Sequence, residues 1–210
     1  MQRKNPSFNL LRLSKNQSSL SIFGLLFFIL AFTYQSCERD DICADVTETT
    51  PRLLIEFYDV TDIDVLKSVT RLSVYAEDLV TDNGVITFPE AASNATLIFN
   101  SNSNTLELPL QVTEEGTPTT LRYYFESDTN LRLDGDPLTE SNIDILEITY
   151  TTEFVYVSRA CGFKSNFNDL NAFQNPGSDG IDWIQNISYF EAIAPITVEN
   201  ENTAHVQIFH

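Results

Sequence analysis

From residue 51 onward, apolar and polar positions alternate with a period of two, the pattern of strands that bury one face. Leu53, Ile55 and Phe57 point one way in Arg52–Tyr58, with Glu56 opposite, and Leu72 and Val74 alternate with Arg71 and Ser73. Leu106, Leu108, Leu110 and Val112 alternate with Glu107, Pro109 and Gln111. Pro109 has no N–H to donate to a ladder, which predicts a sheet edge there. Thr113–Pro118, with Gly116, predicts a turn into a strand carrying Leu121, Tyr123 and Phe125. The polar run Asn100–Asn104 predicts a hairpin loop joining Ala95–Phe99 to Thr105–Val112.

The longest strand pattern is Asp144–Arg159, where Leu146, Ile148, Tyr150, Phe154 and Tyr156 share a face. Shorter strands are expected at Gly84–Phe88, Ile187–Ile193 and Ala204–Phe209. Phe163, Phe167 and Leu170 recur at i, i+4 and i+7 and predict a short helical turn. Many short strands separated by turn residues predict an all-β fold, an antiparallel β-sandwich with Ig-like layering. A closed β-barrel is the alternative.

The first residues follow a different pattern. Arg3, Lys4, Arg12 and Lys15 precede the apolar run Leu20–Phe32. Its 13 residues match a signal-peptide core and fall short of the roughly 20 needed to cross a bilayer. A cysteine follows shortly, in Thr33–Cys37, with the small Ser36 before it. This arrangement resembles a bacterial lipobox in the looser form found in Bacteroidota, with Tyr34 and Gln35 at its middle positions. The resemblance implies that the Cys37 thiol receives a diacylglyceryl group, that the signal is removed, and that the new amino terminus is acylated. The alternatives are an uncleaved signal anchor and ordinary signal-peptidase cleavage near Thr33. Residues 1–36 thus read as a lipoprotein signal peptide, 37–50 as an acidic tether and 51–210 as the β-sandwich domain.

Multiple acyl chains hold a protein on a membrane essentially permanently, so no transmembrane helix is required. Glu38, Asp40 and Asp41 directly behind the cysteine resemble a surface-export signal of Bacteroidota lipoproteins. The expected location is the outer membrane, on the cell surface or facing the periplasm.

Charge narrows the partners. All 30 Asp and Glu lie after Cys37, against eight Lys and Arg, a net charge of −22 over residues 37–210. Such a surface repels phosphate backbones and excludes nucleic acid as a partner. With 42% hydrophobic and 11% aromatic residues, the chain is apolar enough for a packed core.

Three cysteines become two once Cys37 is acylated, and Cys43 and Cys161 are then expected to form one disulfide in an oxidising compartment. The rival reading is a reactive or metal-binding thiol, with only His205 and His210 as partners and no Cys-x-x-Cys. A lipidated cysteine, Cys43 before a first strand of the form Pro51–Asp59, and the late motif Tyr156–Phe163 together resemble an uncharacterised family of Bacteroidota lipoproteins. That resemblance implies the location and the disulfide, with no known activity, cofactor or substrate.

Candidate chemistry is sparse. Asp59, Asp62 and Asp64 cluster after the first strand, and Asp128, Asp134 and Asp136 surround a later turn; either set could offer oxygens to Ca²⁺, although neither matches an EF-hand loop. Solvated turn acids are the plainer reading. No Gly-x-Ser-x-Gly elbow occurs, His205 falls in an expected strand, and Gly177 and Gly180 read as a turn. Tyr123 and Tyr124 are adjacent, so one of them is expected to leave the core face, and Trp183 follows a turn. Trp183 and Tyr124 are therefore candidate ligand contacts, against a core role. The resulting expectation is a non-enzymatic, lipid-anchored envelope protein without a cofactor, contacting another envelope or outer-membrane protein. The alternative is an extracytoplasmic module binding glycan or peptide.

Overall fold

The computed structural model describes Cys43 and residues 50–175, 181–190 and 194–210, all within the unit Cys43–His210. The expected signal segment, Cys37, most of the expected tether 37–50 and the expected turn at Gly177 and Gly180 lie outside the described residues. Along the chain run β1 (Leu53–Tyr58), β2 (Val69–Ala76), α1 (Glu77–Val80), β3 (Thr81–Asp82), β4 (Val85–Ile86), β5 (Thr96–Ser103) and β6 (Thr105–Leu108). Then follow β7 (Pro118–Ser127), α2 (Thr129–Leu133), β8 (Asn142–Ser158), β9 (Gly162–Asn175), β10 (Asn186–Tyr189), β11 (Ile196–Val198) and β12 (Val206–Phe209).

The strands form a two-layer sandwich. One sheet has the order β10-β12-β1-β6 and the other β11-β9-β8-β7-β2-β5, with β3 and β4 as a separate hairpin. Neighbours are antiparallel except β1 and β12, which run parallel. The sheets are open, so the barrel alternative is set aside.

Between the layers, Leu53, Ile55 and Phe57 of β1 meet Leu146, Ile148 and Tyr150 of β8, with Leu108, Phe125, Val206 and Ile208 in the same core. Each such side chain, removed from water, contributes roughly 1.5–3 kcal/mol. Phe57 and Phe125 lie edge to face with centroids 6.4 Å apart. Pro109 ends β6 at the edge of its sheet.

Three sequence expectations give way. The polar run Asn100–Asn104 is no hairpin loop: β5 continues through it to Ser103 and pairs with β2, while β6 crosses to the other sheet and pairs with β1. The ladder accommodates it with bulges, where Arg71 and Asn100 adopt left-handed backbone with φ of 48° each. Polar side chains take over ladder partners there: the Asn100 N–H donates to Ser73 Oγ at 2.8 Å and the Arg71 N–H to Asn102 Oδ1 at 2.9 Å.

The helical turn expected at Phe163–Leu170 is part of the 14-residue strand β9. Asp169, with φ of 54°, is the extra residue of a bulge: Thr149 and Thr151 of β8 pair with Asn171 and Asn168 of β9. The bulge switches side-chain parity, so Phe167 and Leu170 both reach the core three residues apart. A bulged strand imitated helical spacing.

Tyr123 and Tyr124 are both buried, because the six-stranded sheet is covered on both faces where β2 and β7 pair. Tyr123 faces the main core. Tyr124 packs on the outer face with Tyr75 and Val80, beneath Phe88, Phe99 and Ile145. The cover comprises α1 and the segment after β4, and Phe88 sits between Tyr75 at 5.2 Å and Tyr124 at 5.3 Å. Exposure of one of the two rings is thereby corrected.

Candidate functional site

The strand pair β8–β9 outruns the sandwich. β7 follows β8 only to the pair Pro118–Thr151; a loop residue, Glu115, bridges Thr152, and beyond it, among the described residues, β8 and β9 pair only with each other. The resulting arm has the cross-strand pairs Phe154–Ser165, Val155–Lys164 and Tyr156–Phe163. It closes in a tight turn where the Cys161 N–H donates to Ser158 Oγ at 3.0 Å and Gly162 has φ of 71°, a conformation glycine adopts without penalty.

At this turn the disulfide joins Cys161 to Cys43, with Cα atoms 4.9 Å apart and a sequence separation of 118. The base of the arm is pinned as well. The Ser165 N–H donates to Thr50 Oγ1 at 3.0 Å, and the buried Lys164 Nζ donates to the Glu199 carbonyl at 3.0 Å. The described residues of the N-terminal lead, Cys43 and Thr50, therefore both attach to one end of the sandwich.

Even-numbered residues of β8 face the core from Asp144 through Thr152, and the same parity continues into the arm. There the opposite sheet has ended. Phe154, Tyr156 and Phe163 consequently remain 42%, 59% and 66% exposed on one face, with the rings of Tyr156 and Phe163 5.5 Å apart. The shared face expected for Leu146 to Tyr156 exists, but only its first part is buried. A signal for this overhang was available in the sequence, since the β8 pattern is far longer than the patterns that must cover it.

Beside the arm's end of the sandwich, a cleft of about 470 Å³ lies between α1 and Pro109–Gln111. Its floor is Leu110, Leu121 and Tyr123, and its rim carries Glu77 and Arg122. Arg122 is already held, its Nε donating to Glu147 Oε2 at 2.8 Å with Glu77 at 3.8 Å. Tyr123 Oη donates to the Pro109 carbonyl and Tyr150 Oη to that of Gln111 at 2.6 Å, tying the cleft's inner wall across the layers.

On the outer face a fully buried carboxylate, Glu126, is enclosed by donors. Arg132 of α2 approaches it with Nε at 2.7 Å and Nη2 at 3.1 Å, Tyr75 Oη donates at 2.7 Å and Ser141 Oγ at 2.5 Å. Burial alone pushes the Glu126 carboxyl up. The bonds from Arg132, Ser141 and Tyr75, with the guanidinium charge, outweigh that and hold it below the usual carboxylate range. Arg132 also donates to the Pro89 carbonyl at 3.0 Å and lies over the Phe88 ring, so one guanidinium fastens the cover to the sheet.

The remaining candidates are placed as follows. Trp183 is a core-edge residue: it packs on the main core, its Nε1 donates to the Phe125 carbonyl at 3.1 Å, and Phe57 and His210 flank its ring. Tyr124 is buried and its hydroxyl donates to Glu77 Oε1 at 3.2 Å. Tyr124 is thus enclosed by the fold, while Trp183 remains partly exposed at the core edge. Asp59 Oδ1 accepts from the Thr61 N–H and hydroxyl, both at 2.8 Å, and these bonds lower its pKa, with Lys67 Nζ at 3.5 Å. Its carboxylate thus caps the loop, and Asp62 and Asp64 do not converge with it. Among the described residues no group of three or more His, Cys, Asp or Glu is arranged to hold a metal ion.

His205 Nδ1 accepts from the Leu54 N–H at 2.9 Å, which puts the proton on Nε2, 2.9 Å from the Asn200 carbonyl. The Nδ1 bond ties the residue before β12 to β1, and the Nε2 bond ties it to the loop at Asn200. His210 lies edge-on to Phe57 and Trp183, and burial lowers its pKa.

A family model described as a family of unknown function, DUF6452, matches residues 72–210. No curated protein and no solved structure matches the chain.

Proposed function

This chain belongs to the DUF6452 family of unknown function, and we propose that it serves as a non-enzymatic lipoprotein of the bacterial cell envelope. Cys37 carries the lipid, the outer membrane is the membrane it enters, and the sandwich is displayed from that anchor to contact another envelope protein. The observation that carries this reading is the attachment of the N-terminal lead. Cys43, six residues after the lipobox cysteine, is fastened by the disulfide to the end of the β8–β9 arm. A lead cross-linked six residues from an anchor transmits a fixed orientation to the domain, which a free linker does not.

The opposite end of the sandwich supports the contact role. There the loop between β1 and β2 exposes Ile63, Val65 and Leu66. The loop is held by the Asp59 N–H to the Val65 carbonyl at 3.0 Å, the Lys67 N–H to the Phe57 carbonyl at 2.9 Å and the Val60 N–H to the His210 backbone oxygen at 3.2 Å. Rigid apolar side chains on an otherwise acidic surface suit a protein contact. The non-enzymatic reading is supported by the two histidines, each engaged in packing or backbone bonds, and by Tyr124 inside the fold and Trp183 packed at the core edge.

The test is a Cys37→Ala variant expressed in a bacterium with the lipoprotein pathway. The native protein is expected in the outer-membrane fraction and the variant in the soluble fraction, because loss of the acyl chains removes the entire anchor. Retention of the variant on the membrane would remove the anchor from the account. Crosslinking of the native protein in intact membranes is expected to capture an envelope protein through the β1–β2 loop, and Ile63→Asp to abolish that product.

A further inference from the structure

We infer that the aromatic strip Phe154, Tyr156 and Phe163 seats in the lipid headgroup zone of the membrane that holds the anchor. This rests on the reading that Cys37 is acylated. Six residues separate Cys37 from Cys43, and an extended chain spans at most about 3.3–3.6 Å per residue, so the arm's turn is held within roughly 20 Å of the lipidated sulfur. Tyr156 and Phe163 pair with each other two residues or fewer from the turn, and strands rise about 3.3 Å per residue. The strip therefore lies roughly 7 Å further from the turn, within reach of the surface on which the anchor ends.

The chemistry of the arm agrees with that placement. The chain carries 30 Asp and Glu, yet none occurs from Phe154 to Asn168, where the charged side chains are Arg159 and Lys164. Within the sandwich, the segment that the disulfide ties to the lead is thus one that an anionic headgroup layer does not repel. The strip itself offers three adjacent half-exposed aromatic rings, one a tyrosine, and rings of this kind settle at the boundary between hydrocarbon and water. Deep insertion is excluded by the arm's second face, where Asn168 Nδ2 donates to Glu153 Oε2 at 2.8 Å at the arm's base. The contact is shallow, and it adds orientation to an attachment that the acyl chains supply.

The test uses the mature acylated protein reconstituted into vesicles of phosphatidylethanolamine and phosphatidylglycerol, with and without brominated acyl chains. Tyr156→Trp and Phe163→Trp each add an indole to the strip, and both positions are exposed enough to accept it without repacking. Brominated lipid is expected to remove most of the added emission, which is also expected to shift to the blue. The native protein, whose lone Trp183 lies at the far end, and Leu138→Trp, also at the far end, are expected to keep theirs. Intact mass separates the two possible failures. Protein without acyl chains would remove the anchor reading and the seating with it. Acylated protein whose strip indoles escape quenching, or whose strip crosslinks to a protein instead, would overturn the seating alone.

Discussion

Replacing both Cys43 and Cys161 with serine is expected to lower the unfolding free energy by about 4–5 kcal/mol. The bridge closes a loop with a sequence separation of 118 residues, so it removes from the unfolded chain a large number of conformations in which the two ends are far apart. For a domain of this size the loss corresponds to a melting temperature lower by roughly 10–15 °C. The fold itself should survive, since the main core does not involve either cysteine. The local effect is sharper than the global one. Without the bridge, the Thr50–Ser165 bond still holds the lead at the base of the arm, and the arm's turn should become sensitive to protease while the sandwich stays resistant. Thermal unfolding of native and double-variant protein checks the first effect and limited proteolysis the second. Equal melting temperatures would mean that the cross-link carries no constraint.

Arg132→Ala should cost about 3 kcal/mol or more, because it strands the Glu126 carboxylate in a site from which water is excluded. Arg132 is itself partly solvent-exposed, which places the effect toward the lower end of what breaking a buried pair costs. Tyr75 and Ser141 would still donate to Glu126, but neither carries charge. The companion variant Arg132→Met with Glu126→Gln removes both charges and is expected to be less damaging than Arg132→Ala alone.

Acidity separates the pair's two roles. In the native protein the folded pKa of Glu126 is depressed, so its stabilisation is fully present above its ordinary value of about 4.5 and is lost as pH falls through the lower folded value. Without Arg132 its bonds and charge no longer offset burial, and the folded pKa is expected to rise. Protonation then relieves the site, and the gap between native and variant should narrow as pH falls from 7 toward 4. Urea unfolding at the two pH values measures this, and a gap that widens on acidification would contradict the assignment. His210 adds a separate slope. Its imidazole is buried with a lowered pKa, so its contribution is present above the ordinary value of about 6.5 and declines as pH falls through the folded pKa.

The sequence made the layer pattern legible wherever one face of a strand is wet. β1 alternates cleanly, Leu53, Ile55 and Phe57 are buried, and Pro109 marks an edge. It misled where that condition fails. Leu72 to Tyr75 are buried without interruption because their sheet is covered on both faces, so burial there does not follow the alternation of Leu72 and Val74 with Ser73. The bulge at Asp169 inserts one residue and converts a strand's spacing into apparent helical spacing. The Asn-rich part of β5 stays in the ladder because Asn100 tolerates left-handed backbone and side chains replace lost ladder bonds.

The functional residues divide in the same way. Counting cysteines pointed to the pair Cys43 and Cys161, which the structure joins, because that argument needs only compartment and parity. The aromatic strip was missed because Phe154 and Tyr156 keep the parity of buried neighbours, and alternation alone does not say where the covering sheet stops. Trp183 and Tyr124 looked like ligand contacts because turn proximity and adjacency suggest exposure, whereas the cover on the outer face buries Tyr124 and Trp183 packs at the edge of the main core.

The account depends most on the chemistry of one sulfur. Mass spectrometry of the N-terminal peptide released from protein purified out of native membranes tests it directly. The expected peptide begins at Cys37 and carries a thioether-linked diacylglyceryl group together with an amide-linked acyl chain. A peptide that began at Met1 or near Thr33, or one with an unmodified Cys37, would contradict it.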